Sequence, residues 1–350
     1  MSFGESDFTA LFWPFHEFNV REWQAGRVPL WNNSIYGGQP HLAGVEAAVF
    51  YPLSLVELLL AGRGGILTGI FTRMWLDTSI ATIGMYFLVR RLTADRAAAA
   101  LSGVAFAFSG FMLGYGANQV DRLEALVFVP LGLFFTDRAL CARRPALDVW
   151  LAGASFGCTL VGGYPQMWLL LPPAVLALVT WRWLGREEKV TWARAVAVMA
   201  AACVAAVSLA AAQLIPALEF LQNSDRSVVL GNGGGYSLGQ LLGFLLSGAD
   251  GDKGMYAGIA PLALALVAAV AIRRKAVLCW LAAAAFGLLL AMGDNTPLYD
   301  LVFARAGFGL FRAQHRDVAL TVLCLAVLAG FGLAALNVRL PKLRWIAPAL

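Results

Sequence analysis

Three groups of side chains have the type and spacing to do chemistry. The first lies in residues 1–62, where Trp13, Trp23, Trp31, Tyr36 and Tyr51 offer flat faces that stack on the C–H side of a sugar ring. Asn32, Asn33 and Gln39 add amides that bond hydroxyls as donor and as acceptor. Carbohydrate is a natural ligand for that mixture, while an aromatic belt at a membrane interface is the preferred reading for Trp23 and Tyr51. Gly37 and Gly38 permit positive φ, so they are expected to turn the chain sharply and bring Trp31 and Gln39 onto one side.

The second group is GDNTPLYDLVFARAGFGLFRAQHRD, residues 293–317, with Arg305, Arg312, His315 and Arg316. Arg312 and Arg316 are four apart and share a face if the segment enters the following helix. Two guanidinium forks on one face clamp phosphate, and headgroup anchoring is the competing role, strongest for Arg305. The third group is Arg73 and Asp77, an i,i+4 pair inside an apolar run, able to neutralise each other as a functional pair or as a bridge between helices.

The elements that must position these groups are membrane spans. Of 350 residues, 60% are hydrophobic and 13% charged, and mean hydropathy is +0.71, far beyond a soluble domain. The net charge of +5 is scattered, which argues against a nucleic-acid partner. About 20 apolar residues cross a bilayer, and nine candidates satisfy that, at 66–89, 97–117, 123–140, 147–163, 165–184, 194–218, 256–272, 276–292 and 318–336. Phe50 to Gly62 is too short and reads as a re-entrant or surface helix. The cysteines, Cys141, Cys158, Cys203, Cys279 and Cys324, stand singly as packing residues.

Most of the basic residues fall in alternate connections: Arg90, Arg91 and Arg96; Arg138, Arg143 and Arg144; Arg182, Arg186, Lys189 and Arg194; Arg273, Arg274 and Lys275; Arg339, Lys342 and Arg344. The positive-inside rule makes that set cytoplasmic and turns 1–62, 221–255 and 293–317 outward. All three histidines, His16, His41 and His315, then face outward, and Gln166 and Glu219 stand at outer ends of spans. MSFGESDF lacks the basic and apolar regions of a signal peptide. A start outside the cytoplasm therefore leads us to expect a fragment, without its first transmembrane helix and its C-terminal part.

Several short motifs occur in order. They are Asp7, Pro14-Phe15, Gly26 to Asn32, Gly38-Gln39-Pro40, Tyr51-Pro52-Leu53, GGYPQ at 162–166, QLIPALEF at 213–220, YAGIAPLAL at 256–264, GDNTPLYDLVF at 293–303 and FRAQHR at 311–316. In these the sequence resembles the YfhO family of bacterial membrane proteins, grouped with the GT-C type of glycosyltransferases, over nearly the whole chain. Asn33, Tyr164 and Ala313-Gln314 depart from the family pattern.

The resemblance implies an all-α, polytopic transmembrane bundle of about nine spans and GT-C type. Residues 1–350 would form a single membrane domain: a first extracytoplasmic loop over 1–62 with a short interfacial helix, then a bundle over 63–350 with outer loops 221–255 and 293–317. It implies a glycosyltransferase of the bacterial cytoplasmic (inner) membrane, moving a sugar with inversion from a polyprenyl-phosphate carrier to an extracytoplasmic cell-envelope polymer. Motif position nominates Asp7 as the catalytic carboxylate, with Glu5 the nearest substitute. Substrate contacts fall to Trp31, Asn32, Gln39, His41, Tyr164, Gln166 and Glu219, and the phosphate to Arg312, His315 and Arg316. No cofactor is expected, and a divalent metal is left open. Membrane lipids are partners in any case. A transporter or flippase of a lipid-linked or anionic solute would suit the Arg73 and Asp77 pair and the prolines Pro130, Pro172, Pro173 and Pro216. A non-catalytic partner in envelope assembly is the third alternative.

Overall fold

The structure is a computed structural model that describes residues 6–115, 118–184, 190–224, 234–249, 254–272, 275–297, 301 and 313–339. These residues fold almost entirely into helices, joined by one two-stranded ribbon. Among the described residues, four helical stretches are long and apolar enough to cross a membrane: Arg96–Gly114, Pro165–Leu184, Trp192–Gln222 and Gln314–Arg339.

A π-helical turn, Phe8–Phe12, leads into α1, Trp13–Gln24. Strands β1, Trp31–Asn32, and β2, Gln39–Pro40, form the ribbon. Helix α2, Ser54–Thr93, is broken at Gly65, whose φ of 77° and ψ of 166° reverse the chain. A Cβ on Gly69 would lie 2.8 Å from the Cα of Glu57, so the arm 54–64 lies back against the arm 66–93. The short apolar run is thus a separate arm folded back on the helix that follows it.

Helix α3, Arg96–Ala107, starts at Asp95, whose side chain accepts from the Ala98 N–H at 3.0 Å, and satisfies one of the helix's orphan donors. Helices α4, Val120–Val127, and α5, Val129–Cys141, divide at Phe128 what reads as one span, with Pro130 in the first turn of α5. Then come α6, Ala146–Val161, the single turn α7, Pro165–Trp168, and α8, Leu171–Leu184, which takes Pro172 and Pro173 in its first turn. Proline lacks an N–H that those positions do not need, so three of the four prolines begin helices. Pro216, by contrast, lies inside α9, Trp192–Gln222. Helices α10, Ile259–Ala271, α11, Lys275–Ala291, and α12, Val318–Arg339, complete the described chain.

Helix α12 is the central strut: 78% of its apolar window, within Gln314–Arg339, is enclosed, against 28% for Trp192–Gln222. It packs on α2, α3, α10 and α11. Small residues let backbones approach, as where Gly157 faces the Ala206 carbonyl across α6 and α9. One end of the bundle collects basic side chains. Arg91 and Arg182 both bond Asp137, Arg138 pairs with Asp148 at 3.0 Å, Arg194 reaches the Ala139 carbonyl at 3.0 Å, and Arg339 reaches that of Ala271 at 2.8 Å. The residues with chemistry collect at the opposite end.

Candidate functional site

Helix α4 reads VDRLEALV and every residue of it is buried. A helix enclosed all round must hand each of its charges to a partner, and α4 does so in three directions. At its start, the Gln119 side-chain amide donates to the carboxylate of exposed Asp7. One turn on, Arg122 lies 3.6 Å from Asp121, and its guanidinium stands 4.5 Å over the Tyr164 ring. Glu124, last in line, accepts from Arg73.

Tyr164 is the junction of the second direction. Its hydroxyl accepts from Arg316 and donates to Gln166 Oε1 at 3.2 Å, and Gln166 donates in turn to Asp317 Oδ1 at 3.1 Å. Arg316 also stands 5.2 Å over the ring, so one tyrosine faces two guanidinium groups from separate elements. Two cations and a phenol at one corner can bind an oxyanion, because charge-assisted N–H···O⁻ bonds are the strong ones. His315, beside Arg316, is 3.0 Å from the Gly234 carbonyl through Nδ1 and lies against the edge of Tyr236.

The glycines of GGYPQ explain why the corner forms. Gly163 holds φ at +97°, and a Cβ there would meet the Val45 carbonyl at 2.8 Å; one on Gly162 would meet the Glu124 backbone at 2.8 Å. The turn after α6 therefore presses on both α4 and the first loop, which no larger residue permits.

Of the residues singled out from sequence, the structure brings together Tyr164, Gln166 and Arg316, with His315 adjoining. Glu5, Arg305 and Arg312 lie outside the described residues, and with them the proposed face shared by Arg312 and Arg316. Arg122 supplies the other guanidinium at Tyr164. Its signal was available as three charges in four residues, Asp121, Arg122 and Glu124, at the mouth of an apolar run.

The first loop arranges its candidates differently from expectation. Gly37 and Gly38 do turn the chain, at φ of 76° and 111°, but the register pairs Trp31 with Pro40 and Asn32 with Gln39. Cross-strand partners share a face and neighbours alternate, so Gln39 sides with Asn32, opposite Trp31. Trp31 is exposed and its ring closes over Gly38, while Asn32 is buried and its Oδ1 accepts from the Ser34 N–H at 2.9 Å. His41 is buried between Phe15 and Phe18 and bonds Asn19 Oδ1 at 2.9 Å through Nε2. Burial, assisted by nearby His16, pushes its pKa down to about 4. Glu219 is exposed on α9.

The third direction corrects the expected Arg73 and Asp77 pair. Arg73 Nε is 2.6 Å from Glu57 Oε1, and its Nη1 bonds Glu124. His16 completes the cluster, with Nδ1 at 3.0 Å from Glu57 and Nε2 at 3.8 Å from Glu124. Asp77 instead accepts from the Tyr51 hydroxyl at 2.5 Å. The reversal at Gly65 is the cause, because it sets Glu57 beside the arm that carries Arg73. Among the described residues no group of three or more His, Cys, Asp or Glu could hold a metal ion.

Below the Tyr164 turn, α6, α8 and α9 leave an apolar groove of about 640 Å³, bordered by Leu160, Trp168, Pro172, Met199, Val207 and, at its far end, Trp192. From Trp192 to Val207 along α9 it runs roughly 22 Å, at ~1.5 Å of rise per residue. The chain matches no protein-family model, no curated protein and no solved structure.

Proposed function

We propose that this chain is a membrane glycosyltransferase of GT-C type, with about nine spans in the bacterial inner membrane and its working end extracytoplasmic. It would transfer a sugar, with inversion, from a polyprenyl-phosphate carrier to a cell-envelope polymer. The observation that carries the reading is the join at α4: Asp7 is bonded to Gln119, three residues before an arginine that shares the Tyr164 ring with Arg316. Gln119, which holds the carboxylate, and Arg122 thus stand about one helical turn apart along the backbone, at ~1.5 Å per residue.

Such a transfer needs a base to take the acceptor's hydroxyl proton and cations to hold the departing phosphate. Asp7, exposed and oriented by Gln119, is assigned as the base. Arg316 and Arg122 hold the phosphate with Tyr164 between them, and phosphate leaves well enough that cations replace a general acid. The aromatic and amide side chains of the ribbon, Trp31 above all, present the outer face to the sugar or polymer. The apolar groove beneath Trp168 suits the carrier's isoprenoid tail.

The test is turnover of a polyprenyl-phosphate sugar by the purified protein in nanodiscs. Asp7→Asn is expected to lower kcat by at least a hundredfold, in the range of a lost general base, and wild-type rate in that variant sinks the assignment. Arg316→Ala is expected to weaken donor binding about tenfold, the loss of one charge-assisted contact.

A transporter or flippase of a lipid-linked or anionic solute is the second reading, favoured by the fully buried charges of Glu57, Arg73, Asp77 and Glu124. Carrier flipping without sugar transfer by the wild-type protein would select it. Neither activity, with an intact fold, would select an assembly partner.

A further inference from the structure

The buried charges do not balance. Glu57, Asp77 and Glu124 bring three carboxylates against one guanidinium, Arg73, and one imidazole, His16; Asp77, Glu57, Glu124 and Arg73 are 0% exposed and His16 1%. His16 presents Nδ1 to Glu57 at 3.0 Å and Nε2 toward Glu124 at 3.8 Å. Arg73 and His16 both face Glu57 and Glu124. Asp77 is left over.

Its surroundings confirm the surplus. Oδ1 accepts from Tyr51, while Oδ2 is buried without a partner among the described residues. The charged or titratable groups around Asp77 and Tyr51 are Arg73 and Glu57, with Cys158 on the Tyr51 side. Arg73 is already held by two carboxylates. A carboxylate oxygen left without a partner in a protein interior strongly disfavours the ionised form, and uptake of a proton removes the charge.

We propose that this cluster is a proton-binding site, with one exchangeable proton on Asp77 Oδ2 at neutral pH, and that its occupancy sets how firmly the first loop is held. Two of the six side chains, His16 and Tyr51, belong to the part of that loop ahead of α2, and the other four to α2 and α4. With the proton present, the Tyr51 hydroxyl donates to a neutral acid. When the proton leaves to solvent, one negative charge stays behind Tyr51. The two carboxylates of α2 then compete for Arg73, and Glu57 loosens its hold on His16. Asp7 lies on the same loop, nine residues before His16, although the site does not depend on any role for Asp7.

Infrared spectroscopy of the protein in nanodiscs tests this. Wild type should show the carbonyl stretch of an un-ionised carboxylic acid at neutral pH, shifted in D2O, and part of that band should vanish in Asp77→Asn. Tyr51→Phe, which removes the bonded hydroxyl, should move the same component to higher frequency, and serves if Asp77→Asn does not fold. A band identical in wild type and both variants overturns the proposal, and so does a component that appears only when sodium is replaced by choline, since sodium would then fill the site. Raising the pH until the component disappears should increase proteolysis within residues 25–40 several-fold in wild type. Asp77→Asn, which imitates the acid, should stay resistant; equal cleavage of both overturns the link to the loop.

Discussion

His41 shows how a loop residue that reads as a ligand can serve the loop itself. It sits between two phenylalanines and donates to Asn19, which in turn bonds the Ala47 carbonyl at 2.7 Å. Its pKa falls from the ordinary value of about 6.5 to about 4, chiefly through burial. A base whose folded pKa is lowered contributes its full stability above pH ~6.5 and loses it as pH drops toward 4, where the unfolded chain alone is protonated. The total is on the order of 3 kcal/mol at most. Thermal melts of the protein in nanodiscs should therefore fall in midpoint between neutral pH and pH ~4, and His41→Gln should flatten part of that fall. Residue types announced the polar character of this loop. They did not say which amides and imidazoles point inward, because that depends on packing of α1 against the ribbon and the turn at Val45–Ala47.

At the scale of elements, two glycine positions decide the working end. Gly163 combines a φ of +97° with a Cβ position 2.8 Å from the Val45 carbonyl. Gly163→Ala should destabilise by about 2 kcal/mol, from left-handed strain plus a displaced contact. A Gly157→Ala control, whose Cβ would meet nothing nearer than 3.3 Å, should cost less. Melting midpoints compare the two, and equal losses would show that the turn does not press on the loop as described.

Gly65 is the other position, and the sequence hinted at it: the run from Phe50 to Gly62 is too short to cross and ends near a Gly-Gly pair. The partner of Arg73 was less legible. On a straight helix Asp77 is its neighbour, and only a reversal of the chain makes Glu57 the nearer carboxylate. Likewise the turn at Gly37 and Gly38 is plain in the residues, whereas the register that sets Asn32 beside Gln39 is not, since a shift of one residue exchanges the faces.

For the whole molecule, apolar run length and the placement of basic residues carried most of the architecture. Each of the nine apolar runs contains helix, and among the described residues four helical stretches are long and apolar enough to cross a membrane, while Arg91, Arg182 and Arg194 of the alternate connections gather around the end of α5. What run length could not give is the division at Phe128, where α4 turns charged and becomes the hub of three separate contacts. The groove between α6, α8 and α9 exists only once those helices are assembled. Met199→Trp should fill it. The expected result is about a tenfold rise in KM for a long-chain polyprenyl-phosphate sugar, with little change for a short-chain analogue, the pattern of lost uniform binding. Equal effects on both substrates would place the tail elsewhere.

The reversal at Gly65 also bears on how the chain enters a bilayer during synthesis. An arginine at the centre of a lone apolar helix costs ~2.5–3.5 kcal/mol on translocon scales, and Glu124 emerges from the ribosome 51 residues after Arg73. Glu57 is already made by then, on the arm that folds against Gly69. In a bilayer, Arg73 would thus enter as half of a hairpin that carries its own counter-ion, Glu57, before α4 is made.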